Sequence, residues 1–207
     1  IGDRSIGDNP DQVIAIASAF IKGMNQAGMQ ATGKHFPGHG GIFADSHLTF
    51  SQDVRSLSEL ESHDLLPFDA LKLQLGGIMT AHISFLNIDK EIATFSKFWL
   101  QDILRNKIGF TGTIFSDDLS MKGSDYAGGI EAKVTKALES GCNMLLVCND
   151  RPAAIEAINF LEKEKISQSQ RVTRLKASQS ISWADLEKDA RRIDIIDKLN
   201  IIEKLKL

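Results

Sequence analysis

The chain has 207 residues, of which 43% are hydrophobic, and its formal net charge at pH 7 is −3. That hydrophobic share is typical of a packed globular core, whereas the slightly acidic balance lacks the basic field that attracts nucleic acids and anionic membranes. In addition, no apolar run approaches the roughly 18 residues that a membrane span requires. From the charge and the apolar runs together we expect neither nucleic acid nor a membrane as a partner.

Strand-like and helix-like patterns alternate through the first 150 residues. Asn9 before Pro10 predicts a helix start, and apolar residues at helical spacing follow as far as Gly28. Ser58 is the predicted cap of a second helical stretch, which Pro67 is expected to break in two. Short apolar or β-branched runs predict strands at residues 30–33, 78–82, 111–115 and 143–147, and further helices are predicted at 96–109, 130–141 and from Asp150 onward.

Only helices are predicted after residue 150. One lies near residues 167–178, and another begins at Ser182, where the sequence has a capping-box arrangement. The apolar positions of this last helix predict that it docks on its own domain, with a helix-mediated dimer as the alternative. These positions are Leu186, Ala190, Ile193, Ile196, Leu199, Ile202 and Leu205. The sequence indicates neither a linker nor a second domain.

Polar side chains are predicted just past the ends of three strands, namely Lys34 and His35, His82, and Asp117. Strands that alternate with helices imply a parallel sheet, and α/β barrels carry their active sites at the carboxyl ends of such strands. The sequence therefore predicts an α/β fold of the barrel type, with these polar groups gathered at one face.

The two cysteines, Cys142 and Cys148, flank the predicted strand at residues 143–147. Strand geometry would separate them by about 20 Å, which is too far for a disulfide. We expect two buried free thiols, which suit a reducing compartment and favour the cytoplasm.

Residues 34–47 hold the densest group of chemically active side chains, comprising one lysine, three histidines and one aspartate, with three glycines among them. Loops that leave the carboxyl ends of strands commonly carry binding and catalytic residues. A polar surface loop without a chemical role is the alternative interpretation.

Two motifs resemble those of the family 3 glycoside hydrolases. They are Lys-His-Phe-Pro-Gly-His-Gly at residues 34–40 with Asp-Ser-His at 45–47, and Phe-Ser-Asp-Asp-Leu-Ser-Met at 115–121. The resemblance covers essentially the whole chain and is greatest to the bacterial cytoplasmic β-N-acetylglucosaminidases (β-hexosaminidases) of peptidoglycan recycling. It implies an eight-stranded (β/α) TIM-type barrel, of which residues 1–207 would carry the C-terminal half, with the last four βα units and the C-terminal helices.

The same resemblance implies a retaining exo-enzyme that needs no cofactor. Its substrate would be a small muropeptide or amino sugar, from which it removes terminal β-1,4-linked N-acetylglucosamine. An example is GlcNAc-1,6-anhydroMurNAc, with or without a peptide. We expect it to act in the cytoplasm as a monomer.

The resemblance assigns the nucleophile to Asp117 and the proton donor to His47, oriented by Asp45. Because residues i and i+2 of an extended loop point the same way, Asp45 can reach one ring nitrogen of His47 and leave the other for the leaving oxygen. A histidine near its ordinary pKa of about 6.5 can first donate and then accept that proton. For Asp117 and Asp118, capping of the following helix is the alternative role.

Sugar binding is assigned by the resemblance to Arg4, Lys34 and His35. Lys34 and His35 adjoin the predicted loop, whereas Arg4 has only its family context in its favour. His82 ends a predicted strand, so pocket lining and a buried structural role are both open for it.

Three other functions compete with this interpretation. A metal-dependent hydrolase on a similar barrel could use His35, His39, Asp45, His47 and His82 as ligands, although the resemblance implies a mechanism without metal. A β-glycoside phosphorylase of the same family is a closer variant, since a histidine donor repels an attacking phosphate less than a carboxylate does. A non-catalytic sugar-binding module is the third.

Overall fold

The computed structural model describes residues 2–41 and 51–205. Its strands are β1 (Thr32–Phe36), β2 (Ser51–Asp53), β3 (Gly77–Thr80), β4 (Ile83–Phe85), β5 (Asp89–Ile92), β6 (Thr113–Asp118) and β7 (Met144–Leu146). Its α-helices are α1 (Pro10–Gln26), α2 (Leu57–Glu61), α3 (Leu65–Leu71), α4 (Ile130–Ser140), α5 (Arg151–Lys163), α6 (Gln170–Thr173), α7 (Trp183–Lys188) and α8 (Ala190–Leu205). A π-helix spans Phe98–Lys107, and 3-10 turns span Gly2–Arg4, Ala93–Phe95 and Lys122–Ala127.

Strands β1, β3, β6 and β7 form a parallel sheet in that order. The register pairs Gly33 with Ile78, Ile78 with Ile114, and Phe115 with Met144. The four predicted strands and their parallel pairing are therefore confirmed. Successive βα units on one sheet are the architecture of part of a TIM-type barrel, and within the described residues the sheet is open at β1 and β7. Its assignment to the C-terminal half of the barrel stays a prediction.

A second sheet of three strands was not predicted. Strand β4 pairs in parallel with β2 and antiparallel with β5. With three or four residues each, these strands are too short to show an alternating pattern in the sequence. Between this sheet, the main sheet and the π-helix lies the aromatic core, in which the Trp99 ring is 5.0 Å from Phe85 and 6.2 Å from Phe36, measured between centroids.

Helix α1 begins where the sequence predicts. The Asn9 side chain accepts hydrogen bonds from the backbone N–H groups of Asp11, at 2.8 Å, and Gln12, at 3.3 Å, and Pro10 occupies the first helical position. These bonds satisfy two of the amide groups that a helix start leaves unpaired. After α1, Gly28 adopts a φ of +80°, which favours glycine and turns the chain towards β1.

The second helical stretch differs from the prediction in both its cap and its interruption. Ser56, not Ser58, caps α2 in a reciprocal capping box with Glu59. The break falls between α2 and α3, and Pro67 lies in the first turn of α3. Proline is tolerated there because the first turn does not use its missing N–H group.

The C-terminal helices differ more strongly from the predictions. The helix expected at 167–178 is confined to α6, and the helix expected from Ser182 is divided into α7 and α8. The predicted docking of the last helix is wrong for the described residues, where Ile193 is 47% and Leu199 58% exposed. A spacing of three residues turns by about 60° per step on a helix of 3.6 residues per turn, so these apolar positions wind around α8 instead of forming one face.

Two further expectations can be compared with the structure. Cys142 and Cys148 are both free, as predicted, but only Cys142 is buried, because Cys148 lies in the exposed turn before α5. Within the described residues, no helix combines the length and apolar character needed to cross a bilayer.

Candidate active site

The polar residues predicted at the strand ends meet at one edge of the main sheet. Lys34 and His35 lie within β1 and not past its end, so their predicted position was wrong by one or two residues. Lys34 is in register with Met79 of β3. Asp117 is the fifth residue of β6, and His82 follows β3. Because these parallel strands are neighbours, their carboxyl ends bring the side chains together.

His35 lies at the centre of this group. Burial lowers the pKa of its ring to about 4; the Asp117 carboxylate opposes this shift, whereas Lys34, His39 and Arg4 add to it. The ring is therefore neutral at pH 7, and the charges of Arg4, Lys34 and Asp117 all act on it. Its Nδ1 is buried and has no hydrogen-bond partner among the described residues.

A cavity of about 710 Å³ opens beside β1. Its lining includes the three predicted sugar-binding residues, Arg4, Lys34 and His35, together with apolar side chains of α1 and α3 and the charged pair Arg55 and Asp64. Asp117 and His82 are not among its described lining residues. His35 therefore lines the cavity and is also close enough to Asp117 for that carboxylate to act on its ring.

Two adjacent carboxylates at the end of β6 have different surroundings. Among the described residues, the Asp118 carboxylate accepts from Ser120 N, Ser120 Oγ and Cys148 N at 2.8–2.9 Å. The Asp117 carboxylate accepts from Asp118 N at 2.9 Å. Asp118 is thus committed to holding the turns after β6 and β7, whereas Asp117 keeps acceptor capacity for other groups.

His82 is fully buried and does not reach the cavity. Its Nδ1 lies 2.9 Å from Thr94 Oγ1, and its Nε2 lies 2.9 Å from the carbonyl oxygen of Asp118. Burial lowers the pKa of the ring. Of the two roles left open for His82, this position favours the buried structural one over contact with a sugar.

One charged cluster at the ends of the glycine-rich segment was missed by the sequence analysis. Arg55 Nη2 lies 2.7 Å from Asp53 Oδ2, and Arg55 Nη1 lies 2.6 Å from Asp64 Oδ2, with both carboxylates buried. A Cβ added at Gly38 would overlap the Asp64 carboxylate, and one added at Gly41 would overlap the Arg55 guanidinium. The cluster therefore contacts both Gly38–Gly41 and β2. The only sequence signal was the Asp-x-Arg spacing of 53 and 55.

The predicted acid/base pair, Asp45 and His47, lies outside the described residues, so its geometry stays a prediction. The same holds for two of the five candidate metal ligands. Among the residues that the structure describes, no three histidine, cysteine or acidic side chains are grouped closely enough to hold a metal ion. His39 packs near His35, with ring centroids 5.9 Å apart.

Comparisons with known proteins give a consistent result. A family model described as the glycosyl hydrolase family 3 N terminal domain matches residues 1–178. The curated β-hexosaminidase of Idiomarina loihiensis is 47% identical over 193 residues, which cover 92% of this chain and 58% of that protein. The β-hexosaminidase of Mannheimia succiniciproducens is 41% identical over 211 residues, covering 99% of this chain and 61% of that protein.

Among solved structures, NagZ from Neisseria gonorrhoeae in complex with N-trifluoroacetyl-D-glucosamine has a TM-score of 0.76 at 41% identity. The match covers 87% of this chain and 52% of that one. The chain therefore spans between about half and three fifths of the length of these relatives.

Proposed function

This chain belongs to family 3 of the glycoside hydrolases, and we propose that it cleaves terminal β-linked N-acetylglucosamine with retention of configuration. The observation that carries the proposal is the set of charged groups around His35. The Asp117 carboxylate and the charges of Arg4 and Lys34 all act on its neutral ring. Neutral and cationic donors suit the binding of sugar hydroxyl groups, and a carboxylate beside them suits attack on an electron-poor carbon. The names of the relatives, β-hexosaminidase and NagZ, support this substrate class.

The proposed reaction is a double displacement at the anomeric carbon. Asp117 forms a bond to this carbon while the bond to the leaving oxygen breaks, and His47 donates its proton to that oxygen. In the second step water gives a proton to His47 and its oxygen replaces the Asp117 carboxylate, which regenerates both groups. Asp45 would keep the His47 ring oriented, in the manner of a carboxylate–histidine pair.

The proposed sugar contacts come from Arg4, Lys34 and His35. At neutral pH a neutral His35 ring neither repels the guanidinium nor protonates the nucleophile. As the physiological substrate we propose peptidoglycan fragments of the GlcNAc-1,6-anhydroMurNAc type, processed in the cytoplasm by a monomer. The buried thiol of Cys142 is compatible with a reducing compartment.

The first experiment compares an aryl N-acetyl-β-glucosaminide with the matching aryl β-glucoside. We expect release from the glucosaminide to be much faster, and a clear preference for the glucoside would refute the proposed substrate. Running the reaction in phosphate also distinguishes hydrolysis from phosphorolysis, because a phosphorylase would produce the sugar 1-phosphate instead of the free sugar.

The second experiment identifies the nucleophile with a 5-fluoro glycosyl trap and peptide mapping. We expect label on Asp117 and none after Asp117→Asn. Asp118→Asn is the matched control, since it alters the adjacent carboxylate, and it should still accept label. Label on Asp118 would contradict the assignment. An active enzyme without label would instead favour internal attack by the 2-acetamido group of the substrate.

The third experiment tests the acid/base role. His47→Ala should lose most activity on poor leaving groups and much less on activated phenols, because a good leaving group needs little proton assistance. Asp45→Asn should show a milder form of the same pattern. Equal losses for all leaving groups would indicate that His47 binds substrate instead of donating the proton.

A further inference from the structure

Three polar side chains are completely buried beneath the end of β6. They are Thr80 at the end of β3, His82 just after it, and Thr94 in the 3-10 turn Ala93–Phe95, and each is 0% exposed. A buried polar group destabilises a fold unless its hydrogen bonds are satisfied. Each of these three side chains therefore requires a hydrogen-bond partner inside the protein.

Their hydrogen bonds form one continuous chain that starts and ends on the residues of the predicted nucleophile segment. The backbone N–H of Asp117 donates to Thr80 Oγ1 at 3.2 Å, and Thr80 Oγ1 lies 2.8 Å from Thr94 Oγ1. Thr94 Oγ1 lies 2.9 Å from His82 Nδ1, and His82 Nε2 lies 2.9 Å from the carbonyl oxygen of Asp118. We call this chain, from Thr80 through Thr94 to His82, the threonine–histidine relay.

For a neutral His82 ring, the chemistry of the end groups gives each bond in the relay a direction. The carbonyl of Asp118 can only accept, so the proton of a neutral His82 ring is on Nε2, and Nδ1 is an acceptor. Thr94 must then donate to Nδ1 and accept from Thr80, which accepts from Asp117 N–H. Thr94 Oγ1 also lies 3.2 Å from the carbonyl of Ala81, but its single proton satisfies Nδ1, which has no other donor among the described residues.

The neutral ring that this pattern requires agrees with the surroundings of His82. Burial lowers its pKa, and Lys133 acts in the same direction, while the Asp117 and Asp118 carboxylates and the bond to the Asp118 carbonyl oppose them. A protonated ring would present N–H groups on both sides, and Thr94 would have to reverse its hydroxyl. The hydroxyl proton of Thr94 would then go to the carbonyl of Ala81, 3.2 Å away.

We propose that the threonine–histidine relay holds the Asp117–Asp118 backbone so that the Asp117 carboxylate points at the reacting carbon, making Thr80, Thr94 and His82 positioning residues. The relay accepts a hydrogen bond from the N–H of Asp117 and donates one to the carbonyl of Asp118. The N–H of Asp118 in turn donates to the Asp117 carboxylate. The backbone and the carboxylate are thus fixed from both sides. This inference rests on the proposed function, in which Asp117 is the nucleophile.

The test compares Thr94→Val with two matched variants in the full protein. Valine keeps the shape of threonine and removes the hydroxyl, whereas Thr94→Ser restores it. Thr113→Val is the control, because Thr113 is equally buried and lies in β6, but its hydroxyl donates to the carbonyl of Arg171, outside the relay. All three are assayed for kcat and KM on an aryl N-acetyl-β-glucosaminide and for the rate of labelling by the 5-fluoro trap.

We expect Thr94→Val to lower kcat and the trapping rate by about 10- to 100-fold, as for a displaced reacting group, with KM nearly unchanged. Thr94→Ser should recover most of both rates, and Thr113→Val should stay within about threefold of the wild type. If Thr94→Val behaves like Thr113→Val, the relay does not position the nucleophile. If the wild type itself neither hydrolyses the substrate nor accepts label, the proposed function fails instead.

A second measurement examines the relay without any turnover. Nitrogen-15 NMR of the ring of His82 at pH 7 should show a neutral imidazole with its proton on Nε2. A proton on Nδ1, or a charged ring, would overturn the assigned directions. The resonance can be identified by its loss in His82→Gln, which keeps an N–H donor towards Asp118 but no imidazole.

Discussion

Replacing His35 by asparagine should flatten the pH dependence of stability between pH 6.5 and 4. In the folded protein the pKa of His35 falls from 6.5 to about 4, mainly because the ring is buried. Between these values the unfolded chain binds a proton that the folded chain does not. The free energy of unfolding of the wild type must therefore decrease as the pH falls through this window.

The size of the effect follows from the two pKa values. They differ by about 2.5, and one pKa unit corresponds to about 1.4 kcal/mol, so the loss approaches about 3 kcal/mol below pH 4. The measurement is urea unfolding of the wild type and His35→Asn at several pH values from 7.5 to 4. Carboxylates titrate in both proteins, so the difference between the two curves isolates His35.

A matched control for this experiment is His63→Asn. The His63 side chain is 54% exposed and lies 3.4 Å from Asp64, so its replacement shows how far the loss of a histidine outside β1 alters the profile. If the wild-type and His35→Asn profiles run parallel from pH 7 to 4, the ring is not held neutral by burial. His35 would then not meet a sugar as a neutral group.

Three other predictions address the surroundings of the site. Arg55→Ala leaves two buried carboxylates without their partner and should lower the free energy of unfolding by about 2–3 kcal/mol, whereas Lys198→Ala, which removes an exposed pair on α8, should change it by less than about 0.5 kcal/mol. Gly38→Ala should cost about 1–3 kcal/mol because its methyl group would overlap a buried carboxylate. Gly40→Ala, whose added Cβ would meet no atom of the described residues within 4 Å, should be nearly neutral in the same urea assay. A thiol reagent should label Cys148 in the native protein at a rate that rises with pH as the thiolate forms. Burial and nearby carboxylates raise the pKa of this thiol and so move the rise to higher pH. Labelling of the buried Cys142 without unfolding would contradict the structure.

The elements with local signals could be predicted from the sequence. Asn9 and Pro10 define the start of α1 by themselves, and β3, β6 and β7 contain short apolar runs bounded by glycines or polar residues. Lys34 and His35 were placed in a loop because polar residues interrupt an apolar run. In the structure they belong to β1, and both line the cavity beside it.

The relay and the charged cluster could not be predicted, because each depends on residues that meet only after folding. Thr80 and Thr94 look like ordinary β-branched residues in the sequence, and only strand pairing and the 3-10 turn bring their hydroxyls within 2.8 Å. Arg55 looks like a surface charge in the sequence, because its partner Asp64, just before α3, reaches it only in the folded chain. The apolar residues of α8 led to a wrong prediction for a different reason. Their spacing of three residues resembles that of an amphipathic helix but does not place them on one face.

The contacts of Arg55 have a consequence for how enzymes of this type can diversify. The chain passes this guanidinium at Gly41 and meets it again through Asp53, so both ends of the intervening stretch are fixed to one point of the scaffold. Closing a longer segment between fixed ends costs only about 0.6 kcal/mol for each doubling of its length. Insertions within residues 42–50 that leave Asp45 and His47 in place should therefore cost the fold little during evolution or in grafting experiments, while the strand ends proposed to bind the sugar are inherited intact.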